Sequence, residues 1–227
     1  MTEAEWLTCG NARTMLTFLG GKPGERKLRL FTCACWRRRW PGPAEPRSAR
    51  AVEVAEQLGD GRCGGPELET AQEAAREATA EAGVALNAVT WGADRAAFRA
   101  TQDRQRRAWA AEWTCQGSPF AAEHVLRLAQ EGATKKQRAG CAELVREVFG
   151  NPFRAVAADP TWLTWNGGLV ATLAASIYDE RRFGDLGVLA DALEEAGCGA
   201  GELLAHCRSP GPHVLGCWAL DALIGKG

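Results

Sequence analysis

Isoleucine is almost absent from this sequence, which has two isoleucines in 227 residues. Alanine, by contrast, supplies 41 residues. Because alanine is the best helix former and β-branched residues favour strands, this balance predicts an all-α fold. We expect a compact bundle of about ten helices, with an alanine-rich central pair whose small side chains allow close packing.

Long apolar runs and an excess of charge of one sign are also missing. The best apolar run, Leu169 to Tyr178, is half of the roughly 20 residues that a membrane helix needs, so no membrane partner is expected. The formal net charge is −1, which gives no global attraction to nucleic acid or to an anionic membrane. The first ten residues hold two glutamates and no basic residue, the reverse of a secretory signal. We therefore expect a cytoplasmic location, where the nine cysteines stay reduced.

Common catalytic signatures are absent from the sequence as well. It has no glycine-rich phosphate loop followed by Lys-Ser/Thr, no His-Glu-x-x-His and no Gly-x-Ser-x-Gly. Tryptophan, however, is abundant at nine residues, and it either fills gaps between helices or forms a binding surface. These observations predict a non-enzymatic interaction or regulatory protein that binds another macromolecule, with protein as the expected partner.

Composition divides the chain into three regions that we expect to pack as one globular unit. They are an N-terminal helical region with a basic helix (1–65), an alanine-rich helical region (66–148), and a C-terminal helical region with a Cys/His cluster (149–227). Within the last region, residues 159–166 are predicted to be an irregular loop, and the final helix is predicted to run from His213 to Ile224.

Local capping patterns predict where several helices begin. Thr2 and Glu5 have the spacing of a capping box. Ser118 followed by Pro119 has the pattern of an N-cap and a first helical position. Thr134 with Gln137 predicts one further helix start.

Several segments together resemble a known family. They are RKLRLFTCAC at 26–35, FGNPFR at 149–154, LADALEEAGC at 189–198, LLAHCR at 203–208, PGPHV at 210–214 and GCW at 216–218. The chain resembles a family of paralogous proteins typical of planctomycete genomes, over roughly its first 60 and last 80 residues. The resemblance implies a bacterial source and implies no activity.

Metal-ligating residues are concentrated near the end of the sequence. Cys198, Cys207, His213 and Cys217 supply three thiolates and an imidazole, a set that suits tetrahedral zinc. His213 and Cys217 lie four residues apart at the predicted helix start, so both face one way. His206 is a fifth potential ligand in the same stretch of sequence. The alternative is that the cysteines are small core residues and bind no metal.

A thiol enzyme is a third interpretation of the same residues. Cys217 would be the nucleophile, His213 or His206 the base, and Asp221 the orienting group. Apolar neighbours of Cys217 raise the pKa of a thiol, which argues against this role. No catalytic residue is therefore predicted.

Basic residues interleaved with tryptophan form two local runs. Arg37, Arg38 and Arg39 lie between two tryptophans, and Arg104, Arg106 and Arg107 precede another. Such runs can bind phosphates and stack bases, which makes a zinc-stabilised nucleic-acid-binding protein the alternative function. The other interpretation is a solvated helix face whose charges meet the acidic residues of 151–227.

Three other residues are interpreted as structural. Cys33 and Cys35 lie two apart on a helix and point about 200° apart, so they do not share an ion and are assigned to the core. His124 lies on a helix with polar flanks and is interpreted as a surface residue.

Overall fold

The computed structural model describes residues 1–89 and 94–226. Over these residues the chain forms thirteen α-helices, two short 3₁₀ helices and no strand, so the predicted all-α class is confirmed. Residues 90–93 of the predicted alanine-rich region, and residue 227, lie outside the described residues. None of the described helices combines the length and the apolar composition that crossing a bilayer requires.

The helices follow one another along the chain with short connections. They are α1 (Glu3–Thr8), α2 (Ala12–Leu19), α3 (Glu25–Arg39), α4 (Pro46–Gly59), α5 (Gly65–Ala88), α6 (Arg95–Thr114), α7 (Pro119–Gln130), α8 (Lys135–Phe149), α9 (Pro160–Thr164), α10 (Leu169–Asp179), α11 (Leu186–Glu195), α12 (Gly201–Arg208) and α13 (Trp218–Ile224). The 3₁₀ helices are Trp165–Gly167 and Phe183–Asp185.

The chain divides into two compact units. The central unit is Gly10–Ala142, and the terminal unit combines Met1–Cys9 with Glu143–Gly227. The division falls within α8, so the first part of this helix belongs to the central unit and the last part to the terminal unit. The three regions drawn from composition stay a prediction.

In the central unit, α5 packs against α6 and α4 through alanine side chains. The buried face of α5 consists of Ala71, Ala75, Ala78 and Ala82, which lie at spacings of three and four residues. Such methyl groups let helix backbones approach closely. The predicted alanine-rich packing face is therefore confirmed for these residues.

The capping residues named from the sequence are all at helix starts. The Thr2 hydroxyl and the Glu5 carboxylate form a reciprocal capping box on α1. Ser118 accepts a hydrogen bond from the backbone N–H of Ala121 at the start of α7. Thr134 and Gln137 exchange the equivalent pair of bonds before α8.

In the terminal unit, Trp6 joins α1 to the end of α8. Its side chain is fully buried, and its indole N–H donates to the carbonyl oxygen of Gly150 at 3.1 Å. Arg146 donates to the carbonyl oxygens of Trp6 and Cys9 at the end of α1. Gly150 has φ +67°, and a Cβ there would come within 3.1 Å of the Trp218 ring. Glycine at 150 therefore allows both the turn and the close approach of the ring.

Two predictions for the C-terminal region were wrong. Residues 159–166 contain α9, because Asp159 caps its first turn and Pro160 occupies the first helical position. The last helix begins at Trp218 and not at His213. The residues before it form a turn in which the N–H of Cys217 donates to the carbonyl oxygen of Val214.

Candidate metal centre

Four side chains of the terminal unit converge on one point. Glu147, His206, His213 and Cys217 each offer a ligand atom, and these atoms all lie within 4.8 Å of one another. We call these residues the Glu–His–His–Cys cluster. Together they hold the oxygen, nitrogen and sulfur donors that transition metals bind in proteins.

Three separate elements supply the cluster. Glu147 lies in the last turns of α8, where the neighbouring Val148 and Leu144 are core residues, so its carboxylate is buried with them. His206 lies near the end of α12. His213 and Cys217 come from the turn segment between α12 and α13, and Cys217 is the N-cap residue of α13.

Three of the distances within the cluster lie between 3.2 and 3.4 Å. His206 Nε2 lies 3.2 Å from Cys217 Sγ and 3.4 Å from Glu147 Oε2. His213 Nδ1 lies 3.4 Å from Glu147 Oε1. The backbone N–H of Val214 donates to Oε1 of Glu147 at 3.3 Å. One carboxylate therefore has an imidazole nitrogen beside each of its oxygens.

The hydrogen bond on the far side of His213 favours metal binding. Its Nε2 lies 3.1 Å from the carbonyl oxygen of Ser209, which only accepts, so Nε2 carries a proton. The lone pair of the neutral ring is then on Nδ1, which faces the cluster. Metal-ligating histidines usually donate their other N–H to a carbonyl or carboxylate in this way.

His206 has a different partner on its far side. The indole N–H of Trp218 is only a donor, and it lies 3.2 Å from Nδ1 of His206. The neutral His206 ring therefore carries its proton on Nε2, the atom that faces Glu147 and Cys217. The two histidines thus hold opposite tautomers.

Burial and the Glu147 charge set the titration of the cluster. Burial raises the pKa of the Cys217 thiol well above its usual value, and the Glu147 carboxylate raises it further. Burial also lowers the pKa of His206, with the charge of Glu147 opposing it. Burial likewise lowers the pKa of His213, but its hydrogen bond to Glu147 and the Glu147 charge outweigh this and raise it overall.

The cluster includes two of the four zinc ligands proposed from the sequence. His213 and Cys217 belong to it, whereas Cys198 and Cys207 do not. The last two are buried, and burial raises the pKa of Cys207 to about 12. His213 and Cys217 converge through the turn before α13, and not through the helical spacing that the sequence suggested.

Glu147 was missed by the sequence analysis, and His206 was noticed but left out of the ligand set. Glu147 is distant in sequence from the other ligands and lies in an apolar helical stripe. The available signal was its position beside apolar core residues, because a buried carboxylate requires a partner.

The residues around Cys217 differ from those that the thiol-enzyme interpretation named. The imidazole near Cys217 is His206, and the carboxylate near both is Glu147 in place of Asp221. Cys217 is fully buried. A buried thiol with a raised pKa is a poor nucleophile.

A cavity of about 270 Å³ opens beside the cluster in the terminal unit. Glu147, His206 and Trp218 line it on one side, and Glu143 and Glu202 add carboxylates. The cluster is therefore reached from this side.

The first arginine run of the predicted nucleic-acid patch is engaged with acidic side chains of the central unit. Arg37 binds the buried Glu56 with two hydrogen bonds, of 2.6 and 2.9 Å. Arg39 pairs with Asp103 at 3.3 Å. These contacts neutralise much of the positive charge that the sequence analysis had assigned to phosphate binding.

The second arginine run has partners as well. Arg106 pairs with Glu131 at 3.0 Å. Arg107 donates to the backbone carbonyls of Pro43 and Gly42, and Arg104 lines a cavity of about 510 Å³. The acidic partners seen for these runs come from the central unit, whereas the sequence had suggested residues 151–227.

His124 is not the isolated surface residue that its flanks suggested. It is half-buried in a ring cluster, with its centroid 4.7 Å from Trp109, 4.5 Å from Trp113 and 6.2 Å from Phe120. Of these rings, Phe120 is 66 % exposed. We call these four residues the aromatic patch.

Fold and site together define an all-α protein with a mixed carboxylate–imidazole–thiol cluster. No protein-family model, no curated protein and no solved structure matches the chain.

Proposed function

We propose that this protein binds one divalent transition-metal ion in the Glu–His–His–Cys cluster, with Zn²⁺ as the expected ion. The ion stabilises the terminal unit by joining α8, the end of α12 and the turn before α13. A mixed set of carboxylate, imidazole and thiolate ligands suits zinc, which accepts all three.

The observation that carries the proposal is the set of cluster distances. A charge-assisted hydrogen bond between imidazolium and carboxylate is about 2.7–2.9 Å long. His206 and His213 instead lie 3.4 Å from the Glu147 oxygens. In a tetrahedral zinc site with Zn–N and Zn–O bonds near 2.1 Å, neighbouring ligand atoms are about 3.4 Å apart. The two nitrogen–oxygen distances, each to a different oxygen of Glu147, are therefore close to the separation of neighbouring ligand atoms around one ion.

The burial of the ligands favours a structural role over a catalytic one. Structural zinc sites use four protein ligands, whereas catalytic sites leave one position to water. The cluster offers four donors, and Glu147 and Cys217 are buried. The metal site that we propose is therefore structural and not catalytic.

The hydrogen bond from Trp218 opposes metal binding, but only weakly. Coordination through Nε2 of His206 moves the remaining ring proton to Nδ1, so the Trp218 N–H must turn away. Losing one hydrogen bond costs about 1 kcal/mol, whereas zinc binding to a structural site supplies about 10–16 kcal/mol. The tautomer therefore adjusts to the ion.

Purified protein is expected to contain close to one equivalent of zinc, because the cluster provides one set of four ligands. Elemental analysis after gel filtration measures the metal content. Removing the ion with a chelator is expected to lower the free energy of unfolding by about 4 kcal/mol, relative to protein in free zinc at 1,000 times the dissociation constant.

The control for metal removal is re-addition of zinc, which restores the stability, and addition of magnesium, which does not. Metal-free protein that gains no stability in zinc would disprove the proposal.

The aromatic patch supports a second candidate function, the binding of another protein. Arg127 donates toward Nδ1 of His124, so the Nε2 of His124 carries the proton. Nε2 of His124 and Nε1 of Trp113 are buried N–H donors that lack an acceptor among the residues the structure describes. A peptide that packs on the exposed ring of Phe120 would cover the aromatic patch, and aromatic side chains are frequent binding hot spots.

Selection from a displayed peptide library tests this second function. Sequences with aromatic or aliphatic residues are expected to be enriched on the wild-type protein. Phe120→Ala is expected to weaken their binding at least about tenfold, and Val188→Ala, which also shortens an exposed apolar side chain, is the control. Enrichment that survives Phe120→Ala, or preferred binding of a single-stranded oligonucleotide, would reject it.

A further inference from the structure

Two cysteines of the central unit, from different helices, line one small cavity. They are Cys35 on α3 and Cys141 on α8, and each thiol shifts the pKa of the other. The partner of Cys33 is different, since its thiol donates to the carbonyl oxygen of Val52. Two thiols that line one cavity can react with the same small molecule, which an isolated core cysteine cannot.

A cavity of about 160 Å³ gives access to this pair. Both cysteines line it, together with Ala129 and Gln137 and three cationic side chains of the same unit, Arg38, Arg39 and Lys136. A single water needs only about 15 Å³ of such space, so a molecule of the size of hydrogen peroxide fits beside the thiols.

A glycine makes room for one of these cations. Gly140 precedes Cys141, and a Cβ at position 140 would overlap the guanidinium of Arg38. The absence of a side chain therefore lets Arg38 lie against α8 next to the thiol pair. A cationic surround stabilises a thiolate, which is the reactive form of cysteine.

The two thiols differ in acidity. The hydrogen bond from Cys35 lowers the pKa of Cys141, burial opposes this, and Gln130 and the two arginines assist it. Burial raises the pKa of Cys35 well above its usual value, and its contact with Cys141 adds to this. Cys141 is thus the more acidic thiol of the pair, and Cys35 is the less acidic one.

We propose that Cys35 and Cys141 form a redox-reactive pair that hydrogen peroxide oxidises to a disulfide. The Cys141 thiolate attacks one peroxide oxygen, the O–O bond breaks, and the leaving hydroxide takes a proton to become water. Cys141 is then a sulfenic acid. The sulfur of Cys35 next attacks the sulfur of Cys141, the S–O bond breaks, and the hydroxyl group leaves as water with the Cys35 proton. Two sulfurs each lose one electron, and peroxide gains two.

Peptide mapping of the full-length protein tests the proposal. After treatment with a small excess of hydrogen peroxide, a disulfide between the peptides of Cys35 and Cys141 is expected, with the loss of two hydrogen atoms. Cys35→Ser is expected to leave a sulfenic acid on Cys141 that a dimedone probe traps. Cys141→Ser is expected to leave Cys35 reduced. Cys33→Ser, on the same helix, is the control and is expected to form the disulfide normally.

The cationic surround is tested separately by rate. Arg38→Gln is expected to slow disulfide formation about threefold or more, because it removes a charge beside the thiolate. Arg50→Gln, which changes an exposed arginine of the same unit, is expected to leave the rate unchanged. The wild-type map decides the proposal even if a variant fails to fold. Oxidation of the more exposed Cys9 or Cys63 before any Cys35–Cys141 disulfide forms would overturn it.

Discussion

Replacing Glu147 with glutamine is expected to weaken zinc binding by more than about 100-fold. Outer partners of zinc ligands already contribute about 10–100-fold to affinity, so loss of a charged ligand costs more. Cys198→Ser and Cys207→Ser are expected to leave affinity within about twofold, because their thiols lie outside the cluster. Competition with a zinc-sensitive dye measures all three constants. This pair of results separates the ligand set in the structure from the set suggested by the sequence.

Cobalt substitution gives an independent readout of the same ligand set. Thiolate-to-cobalt charge transfer scales with the number of thiolates, so the intensity is expected to correspond to one thiolate and to vanish in Cys217→Ser. Intensity for three thiolates, together with lost binding in Cys198→Ser and Cys207→Ser, would show that the cysteine-rich set is correct and Glu147 is not a ligand.

Trp6→Ala is expected to lower the free energy of unfolding of the terminal unit by about 3–5 kcal/mol. Trp6 is fully buried, so truncation leaves a cavity, and the carbonyl of Gly150 loses its indole donor. This is a large share of the about 5–15 kcal/mol that stabilises a typical domain. Urea denaturation followed by far-ultraviolet circular dichroism measures the change.

The neighbouring residue provides the control for Trp6. Leu7 is 53 % exposed, so Leu7→Ala is expected to change the free energy of unfolding by less than about 0.5 kcal/mol. If Trp6→Ala were as mild as Leu7→Ala, the first nine residues would not belong to the folded terminal unit.

Local signals in the sequence were sufficient to predict most helices. The capping box of Thr2 and Glu5 and the Ser118–Pro119 pair act within one turn, so they are visible without tertiary structure. The abundance of alanine in this region likewise predicted close helix packing, which α5 shows. Pro160 shows the limit of this approach, because proline is compatible with both a loop and a helix start.

The cluster was only partly predictable, because it depends on contacts between distant segments. His213 and Cys217 were named from their proximity in sequence, but the turn that brings them together was predicted as helix. Glu147 comes from α8 and joins them through packing of the terminal unit. Spacing alone carries no information about such a partner.

The indole of Trp218 makes the proposed metal uptake an exchange reaction. While its N–H donates to Nδ1 of His206, the inward nitrogen of that ring keeps a hydrogen, and the thiol of Cys217 keeps another. Before all four ligands can close around an arriving cation, the His206 hydrogen must move to Nδ1 and the Cys217 thiol must release its proton. Acidification therefore favours release of the ion, because protons compete with the metal for the nitrogen and sulfur atoms of the cluster.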